Sequence, residues 1–256
     1  MSGRVRVDQA GPIGWVVFEH PGRHNALTGP MMAEMLSVVD RLAHDESVRV
    51  VVLRGDGDRA FVSGADISAL GSSAGIDRGP NLEDVTAALA NLTKPVIAAL
   101  RGWCLGAGVL VATAADLRIA GDDVRVGIPA ARLGVAYPRS GVDRLVALAG
   151  PAVAAEMLMI GDPLDASASL RAGLVNRVVA ADDLFDHVET VARSVATNAP
   201  LTLAASKLAI TAVQRPPGDP AGAAADQAVA ACFGSEDFQE GRRAFAEKRP
   251  PAFGGR

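Results

Sequence analysis

Two short turns in this chain have the residue types to handle developing negative charge. Residues 105–112 read "LGAGVLVA" and follow the apolar run "KPVIAALRGWC". The G-x-G opens an apolar helix, whose first N–H groups lack intrahelical partners and lie at the positive end of its dipole. No acid, base or nucleophile follows within the next turn. Residues 60–70 read "AFVSGADISAL", with a strand ending at Val62. There Ser63 and Asp66 fit the S-x-x-D form of a helix cap, and the alternative is a turn whose N–H groups receive an anion. Taken together, the turns suggest an oxyanion hole made of main-chain donors, each contributing roughly 3 kcal/mol to a developing oxyanion. Close helix packing is the competing use of the glycines, and spacing leaves both open.

Other chemistries find little support. Val111 stands where a dinucleotide fingerprint needs its third small residue, and Asp116 and Asp122 come too soon for a ribose contact. No G-x-S-x-G elbow is present. His20, His24, His44 and His187 show no ligand spacing and read as surface or stem-packed residues. "RHNAL", 23–27, is either a solvated loop or a phosphate contact. Cys104 and Cys232 are far apart and read as free buried thiols of a reducing compartment.

The elements that must hold these turns can be read from periodicity. Strands are expected at 5–7, 13–18, 48–53, 96–100, 117–120 and 124–128. Met31, Met35, Val39 and Leu42 share a helix face behind a Thr28 cap, and Leu184, Val188, Val191 and Val195 form a second stripe. From Ala180 onward the chain reads as helices, punctuated by "NAP" at 198–200 and "RPPGDP" at 215–220. A strand–helix core over 1–197 and a helical region over 198–256 follow. The segment 71–80, "GSSAGIDRGP", reads as a mobile loop. The 256 residues are 49% hydrophobic with a net charge of −4, which argues against nucleic acid or an anionic membrane as partner. Arg101, Pro95 and glycines interrupt the most membrane-like window, 95–115. The N-terminus has no signal pattern, so a cytoplasmic location is expected.

In order, "RHNAL", "AFVSGADI", "KPVIAALRGWCLGAGV", "AADLRIA", "GLVNRVV" and "SEDFQEGRRAFAEKRPPAF" resemble the landmarks of the crotonase superfamily, the enoyl-CoA hydratase/isomerase family, across essentially the whole chain. The resemblance implies an α/β spiral of ββα units with a helical C-terminal trimerisation region, assembled as a homo-trimer or hexamer. It implies an acyl-CoA thioester substrate in an extended crevice. Coenzyme A would arrive as part of that substrate, with no permanently bound cofactor. By motif position, the N–H groups of Ser63 and Ala107 would polarise the thioester carbonyl and stabilise its enolate. Arg23 and His24 match the segment that meets the nucleotide end. Ala65 and Ile67, with Asp66 between them, match the stretch whose backbone meets adenine and pantetheine. Phe245 and Lys248 match tail residues that reach coenzyme A, in some members from a neighbouring subunit.

The same resemblance exposes two departures. Family hydratases use a pair of glutamates, and here Leu110 and Ala130 of "GIPAARLG" hold those places. Neither can accept or donate the proton that hydration moves. The run "RLGVAYPRSGVDRL", 132–145, offers Tyr137, Arg139 and Asp143 instead. "LGVAY" resembles the methylmalonyl-CoA decarboxylase branch, although that branch carries a histidine at Ala65 and a glutamate at Leu110. Tyr137 reads as a pocket-rim packing residue or a catalytic one, and Asp143 as a partner of Ser140 in a helix cap or a catalytic acid. The expectation is a decarboxylase- or isomerase-type lyase, with a non-catalytic acyl-CoA binder as the alternative.

Overall fold

In the computed structural model, residues 3–66, 81–216 and 218–256 are described. The expected loop at 71–80 and Ile67 lie outside them. The chain begins with the antiparallel hairpin β1 (Arg4–Ala10) and β2 (Ile13–Glu19), then α1 (Gly29–His44). Thr28 caps α1 as expected, its hydroxyl accepting the Met31 N–H at 3.4 Å. Three ββα units follow: β3 (Val50–Gly55), β4 (Ala60–Val62) and α2 (Leu82–Asn91); β5 (Val96–Leu100), β6 (Trp103–Leu105) and α3 (Ala107–Ala114); β7 (Leu117–Gly121), β8 (Arg125–Gly127) and α4 (Arg139–Ala155). A last turn of the spiral adds β9 (Leu164–Asp165), α5 (Ala166–Arg171), β10 (Arg177–Val179) and α6 (Leu184–Ala196).

Within each unit the first strand joins one sheet and the second joins the other. The larger sheet has the order β1-β2-β3-β5-β7-β10 and the smaller β4-β6-β8-β9. Pairing is parallel from β2 onward in the larger sheet and from β4 to β8 in the smaller. A parallel sheet covered on both faces needs strands that are apolar throughout, and β3 and β5 read "VVVLRG" and "VIAAL". Alternation then divides their side chains. Val51 and Leu53 face the core shared with α1, while Val50 and Val52 pack with Ile97 beneath Leu184, Val188 and Ala192 of α6.

Arg118 of "AADLRIA" is buried and satisfied, donating to the carbonyls of Leu174 (2.8 Å) and Ala115 (2.7 Å). Of the two expected settings for the histidines, His20 takes the packed one: it is only 7% exposed, just after β2.

The C-terminal region comprises α7 (Pro200–Ala212), α8 (Pro220–Phe233) and α9 (Glu236–Glu247). Lys207 fastens α7 to the spiral through Asp116 at 2.9 Å, and Asp116 also accepts the Val96 N–H at 2.7 Å. The "SEDFQEG" segment proves to be a clasp. Ser235 caps α9, Asp237 accepts the N–H groups of Gly254 (2.7 Å) and Gly255 (2.9 Å), and Glu240 accepts Arg249 and the Ala252 N–H. Arg249 holds the Glu240 carboxyl down to about 2, so the clasp stays charged in ordinary buffers. Arg49 of the core then donates to the Phe253 carbonyl at 2.6 Å.

Asp237 is only 4% exposed, so its loss leaves two N–H groups without their charged acceptor. Asp237→Ala is expected to lower stability by about 2 kcal/mol or more, measured by urea unfolding, and to open the last residues to carboxypeptidase.

Candidate active site

The spiral brings the two glycine turns together. β4 and β6 are parallel neighbours, so the turn after Val62 and the turn after Leu105 leave the same end of the small sheet. A Cβ built on Gly106 would lie 4.0 Å from the Gly64 Cα, and one on Gly64 would lie 3.9 Å from the Leu105 carbonyl oxygen. Gly106 has φ +49°, a left-handed value that lets the strand turn at once into α3. Gly108 has a different task. A methyl group there would overlap the Val62 carbonyl oxygen, so the N-terminus of α3 is pressed onto the end of β4. The close helix packing expected as one use of the glycines is thus found at Gly108, while Gly106 makes the turn.

Hydrogen bonding decides which N–H groups remain available. Ser63 donates its N–H to the His24 carbonyl at 3.1 Å and its hydroxyl to the Arg23 carbonyl at 2.9 Å. The expected roles of Ser63, as an oxyanion donor and as a helix cap, are therefore both corrected. Ala65 forms a parallel bridge with Leu27: Leu27 donates to Gly64, and Asp66 donates to Leu27 at 2.8 Å. In a parallel bridge this geometry turns the N–H of Ala65 itself away from Leu27. The N–H groups of Ala65 and Ala107 have no protein acceptor among the described residues.

The loop that occupies Ser63 is held from below by Asn25. This 4%-exposed side chain accepts the His20 N–H at 3.0 Å and donates to the carbonyls of Asp56 (3.0 Å) and Ala60 (2.9 Å). His24 and Asn25 both take left-handed backbone angles, φ 47° and 60°. Arg23 and His24 are exposed on this loop, and Arg23 is ion-paired with Asp66. Sequence reading passed over Asn25 because its three partners lie up to 35 residues away.

Leu110 and Ala130 occupy the places where the resemblance puts acids. Leu110 is buried and packs so closely on α4 that a methyl on Gly141 would overlap it; the Tyr137 ring lies 3.0 Å from the same point. Tyr137 donates its hydroxyl to the Gly106 carbonyl at 3.1 Å. That carbonyl also accepts the N–H groups of Val109 (3.0 Å) and Leu110 (3.3 Å). Burial, with the neighbouring Cys104 thiol, raises the Tyr137 hydroxyl above its ordinary range, and burial does the same to Cys104. Neither group is a base at neutral pH.

Asp143 does not reach this place. It is exposed on α4 and sits 3.7 Å from Arg139, one turn away. It does not cap α4 either: the N-cap is Pro138, and Ser140 instead donates to Glu83 at 2.7 Å. Glu83, in the first turn of α2, is thus an unforeseen carboxylate beside the α2–α4 seam. Its partner is 57 residues away, so no local pattern marks it. Phe245 and Lys248 stand on α9 and at its C-terminal cap, and Phe245 is 87% exposed. Among the described residues, no cluster of His, Cys, Asp and Glu is arranged to hold a metal, and no helix is long and apolar enough to cross a membrane.

A two-sheet ββα spiral with main-chain donors at two adjoining glycine turns defines the crotonase architecture. Comparison agrees: the family model for enoyl-CoA hydratase/isomerase matches residues 8–256. The chain is 34% identical over 248 residues to a short-chain-enoyl-CoA hydratase of Clostridium acetobutylicum, covering 96% of this chain and 95% of that protein. It is 35% identical to a carnitinyl-CoA dehydratase of Citrobacter koseri over the full length of both. A crystal structure described as an enoyl-CoA hydratase/carnithine racemase from Magnetospirillum magneticum superposes with TM-score 0.90 at 30% identity, over 98% of this chain and 96% of that one. The chain belongs to the enoyl-CoA hydratase/isomerase family, within the crotonase superfamily.

Tyr137 is the only tyrosine, so tyrosinate absorbance reports it alone. Its ionisation is expected well above the ~10 of a free tyrosine. Above ~pH 10 the unfolded chain then binds fewer protons than the folded one, so stability must fall as pH rises. A reversible midpoint near ~10 with the fold intact would contradict the buried, bonded hydroxyl.

Proposed function

We propose that this protein binds an acyl-CoA thioester with its carbonyl between the N–H groups of Ala65 and Ala107, and stabilises the enolate formed there. Ala65 takes the role that the sequence assigned to Ser63. The observation that carries the reading is the pair of unoccupied N–H groups on adjoining turns. Such donors are fixed before the reaction and act most strongly away from water, where charge develops in the transition state. Arg23 and His24, exposed beside the Asp66 ion pair, are proposed to meet the nucleotide end. Ala65 and Asp66 are proposed to supply the edge along adenine and pantetheine.

Apolar side chains at 110 and 130 favour a reaction that needs no carboxylate pair there. Decarboxylation meets that condition. The bond between Cα and the carboxylate breaks, CO₂ leaves, and the electron pair passes into the thioester as an enolate. The α-carbon then takes a proton. The Tyr137 hydroxyl, tethered one residue before Ala107, orients this end of the pocket and can pass that proton, to be replaced from water. Isomerisation needs a base, and Glu83 beside Ser140 is the group available for it. Ordinary hydration is disfavoured.

A panel of malonyl-type, β,γ-enoyl and α,β-enoyl thioesters tests the reading. Turnover is expected with the first, and Tyr137→Phe should lower it by at least about tenfold while coenzyme A binding survives. Loss of β,γ-enoyl turnover in Glu83→Gln would favour the isomerase. Robust hydration of crotonyl-CoA would overturn the reading of Leu110 and Ala130. Binding without turnover of any member would favour a non-catalytic binder.

The helices α7 to α9 bound an apolar cavity of about 600 Å³ that includes Phe233, Phe238 and Phe245, and Val213 stands 82% exposed nearby in sequence. Apolar surface of this kind calls for a cover, and we propose a homo-trimer, or paired trimers, with Phe245 and Lys248 approaching a neighbour's coenzyme A. Light scattering should give a mass of three or six chains of 26.2 kDa. A monomer would refute the assembly.

A further inference from the structure

Arg144 is a partly buried cation with no carboxylate partner among the described residues. It lies on α4 one turn beyond Gly141, the residue against which Leu110 packs. Its guanidinium turns toward α2, where Nη2 meets the Thr86 carbonyl at a long 3.4 Å. Nη1 is buried and has no hydrogen-bond partner. The charged group that acts on it is another cation, Arg215, just beyond α7. Burial and Arg215 together hold the guanidinium below its usual range, yet arginine stays charged under all ordinary conditions. Other buried cations differ: Lys207 has Asp116, buried Arg118 has two carbonyls at good distance, and Arg101, whose Nε also lacks a hydrogen bond, still has Asp123 and Asp182 as ion-pair partners. Arg144 has a donor left over and a like charge beside it. A buried charge without a partner is costly, so the arrangement calls for an anion.

The location says which anion. In the proposed pose, the acyl group runs from the Ala65 and Ala107 N–H groups along the first turn of α3, which carries Leu110. Leu110 abuts α4 at Gly141, and one helical turn, about 5.4 Å, leads to Arg144. The seam between α2 and α4 carries two polar cross-links in the same order, Glu83 to Ser140 and then Arg144 to Thr86. The outer link is satisfied and the inner one is not.

We propose that Arg144, supported by Arg215, is a specificity residue that receives a carboxylate at the far end of a short acyl chain, so that the preferred substrates are ω-carboxyacyl thioesters of coenzyme A. This rests on the acyl-CoA reading above. A guanidinium suits the task because it presents paired donors to a planar carboxylate. The same charges would repel an acyl group ending in a quaternary ammonium, such as a carnitinyl thioester, despite the 35% identity to a carnitinyl-CoA dehydratase.

The test is equilibrium binding of succinyl-, glutaryl- and adipyl-CoA, each beside its terminal amide, with carnitinyl-CoA as the cationic probe. Wild type should bind one acid at least about tenfold tighter than its amide, and carnitinyl-CoA more weakly than either. Arg144→Gln should erase the acid-over-amide preference and leave amide binding unchanged, while Arg144→Lys should keep part of it. Far-ultraviolet circular dichroism checks that the variants fold. Equal binding of acid and amide by wild type, or an equal loss of both in Arg144→Gln, would overturn the specificity role and leave the acyl-CoA reading standing. Failure to bind any of these thioesters would overturn both.

Discussion

The contact on which the site depends is the one between Gly108 and the Val62 carbonyl. No side chain fits between them, so α3 begins directly against the end of β4. Everything near the proposed oxyanion hole follows from that approach. Gly106 must turn the chain with a positive φ, and Gly64 comes to lie beside it. Two groups hold the arrangement from outside: Asn25 fixes the loop whose carbonyls engage Ser63, and Tyr137 bonds the carbonyl of Gly106. α3 itself is buried on nearly every side and carries no acid in its first turn, so its dipole is left to whatever ligand arrives.

The apolar lining changes what such a hole can do. In the proposed reading, Leu110 and Ala130 in place of acids leave it to stabilise charge without abstracting a proton. Reactions that generate their own carbanion suit this setting, because the donors are already in place when charge appears. The polar groups that reach the α2–α4 seam are Glu83, Ser140 and Arg144, linked as Ser140 to Glu83 and Arg144 to Thr86. In the proposed reading, chemistry belongs to Tyr137 just before α4 and selection to Arg144 within it.

Local signals were legible in the sequence and crossings were not. The Thr28 cap, the strand ending at Val62, the apolar strands of the parallel sheet and the all-helical stretch after Ala180 depend on neighbours in the chain, and each appears in the structure. The Gly106 turn likewise announces itself. Which N–H remains free cannot be read that way. Ser63 and Ala65 belong to one turn, and the choice between them is made by the His24 carbonyl some forty residues upstream. Asp143 read as a helix-cap partner of Ser140 or a catalytic acid, yet helical geometry turns it to the surface beside Arg139. Glu83 and Arg144 went unnoticed because their meaning lies in contacts 57 and 58 residues long. The tail motif was recognisable, but only the structure shows Asp237 and Glu240 binding the chain's own C-terminus.

The central claim is that main-chain N–H groups of Ala65 and Ala107 grip a thioester carbonyl. Isotope-edited infrared spectroscopy of a bound acyl-CoA, labelled with carbon-13 at that carbonyl, reads the grip directly. Two hydrogen bonds should move the stretch to clearly lower frequency than in free acyl-CoA in water, and the shift should be lost in the overpacked Gly108→Ala. A bound carbonyl that vibrates as it does in water would contradict the account.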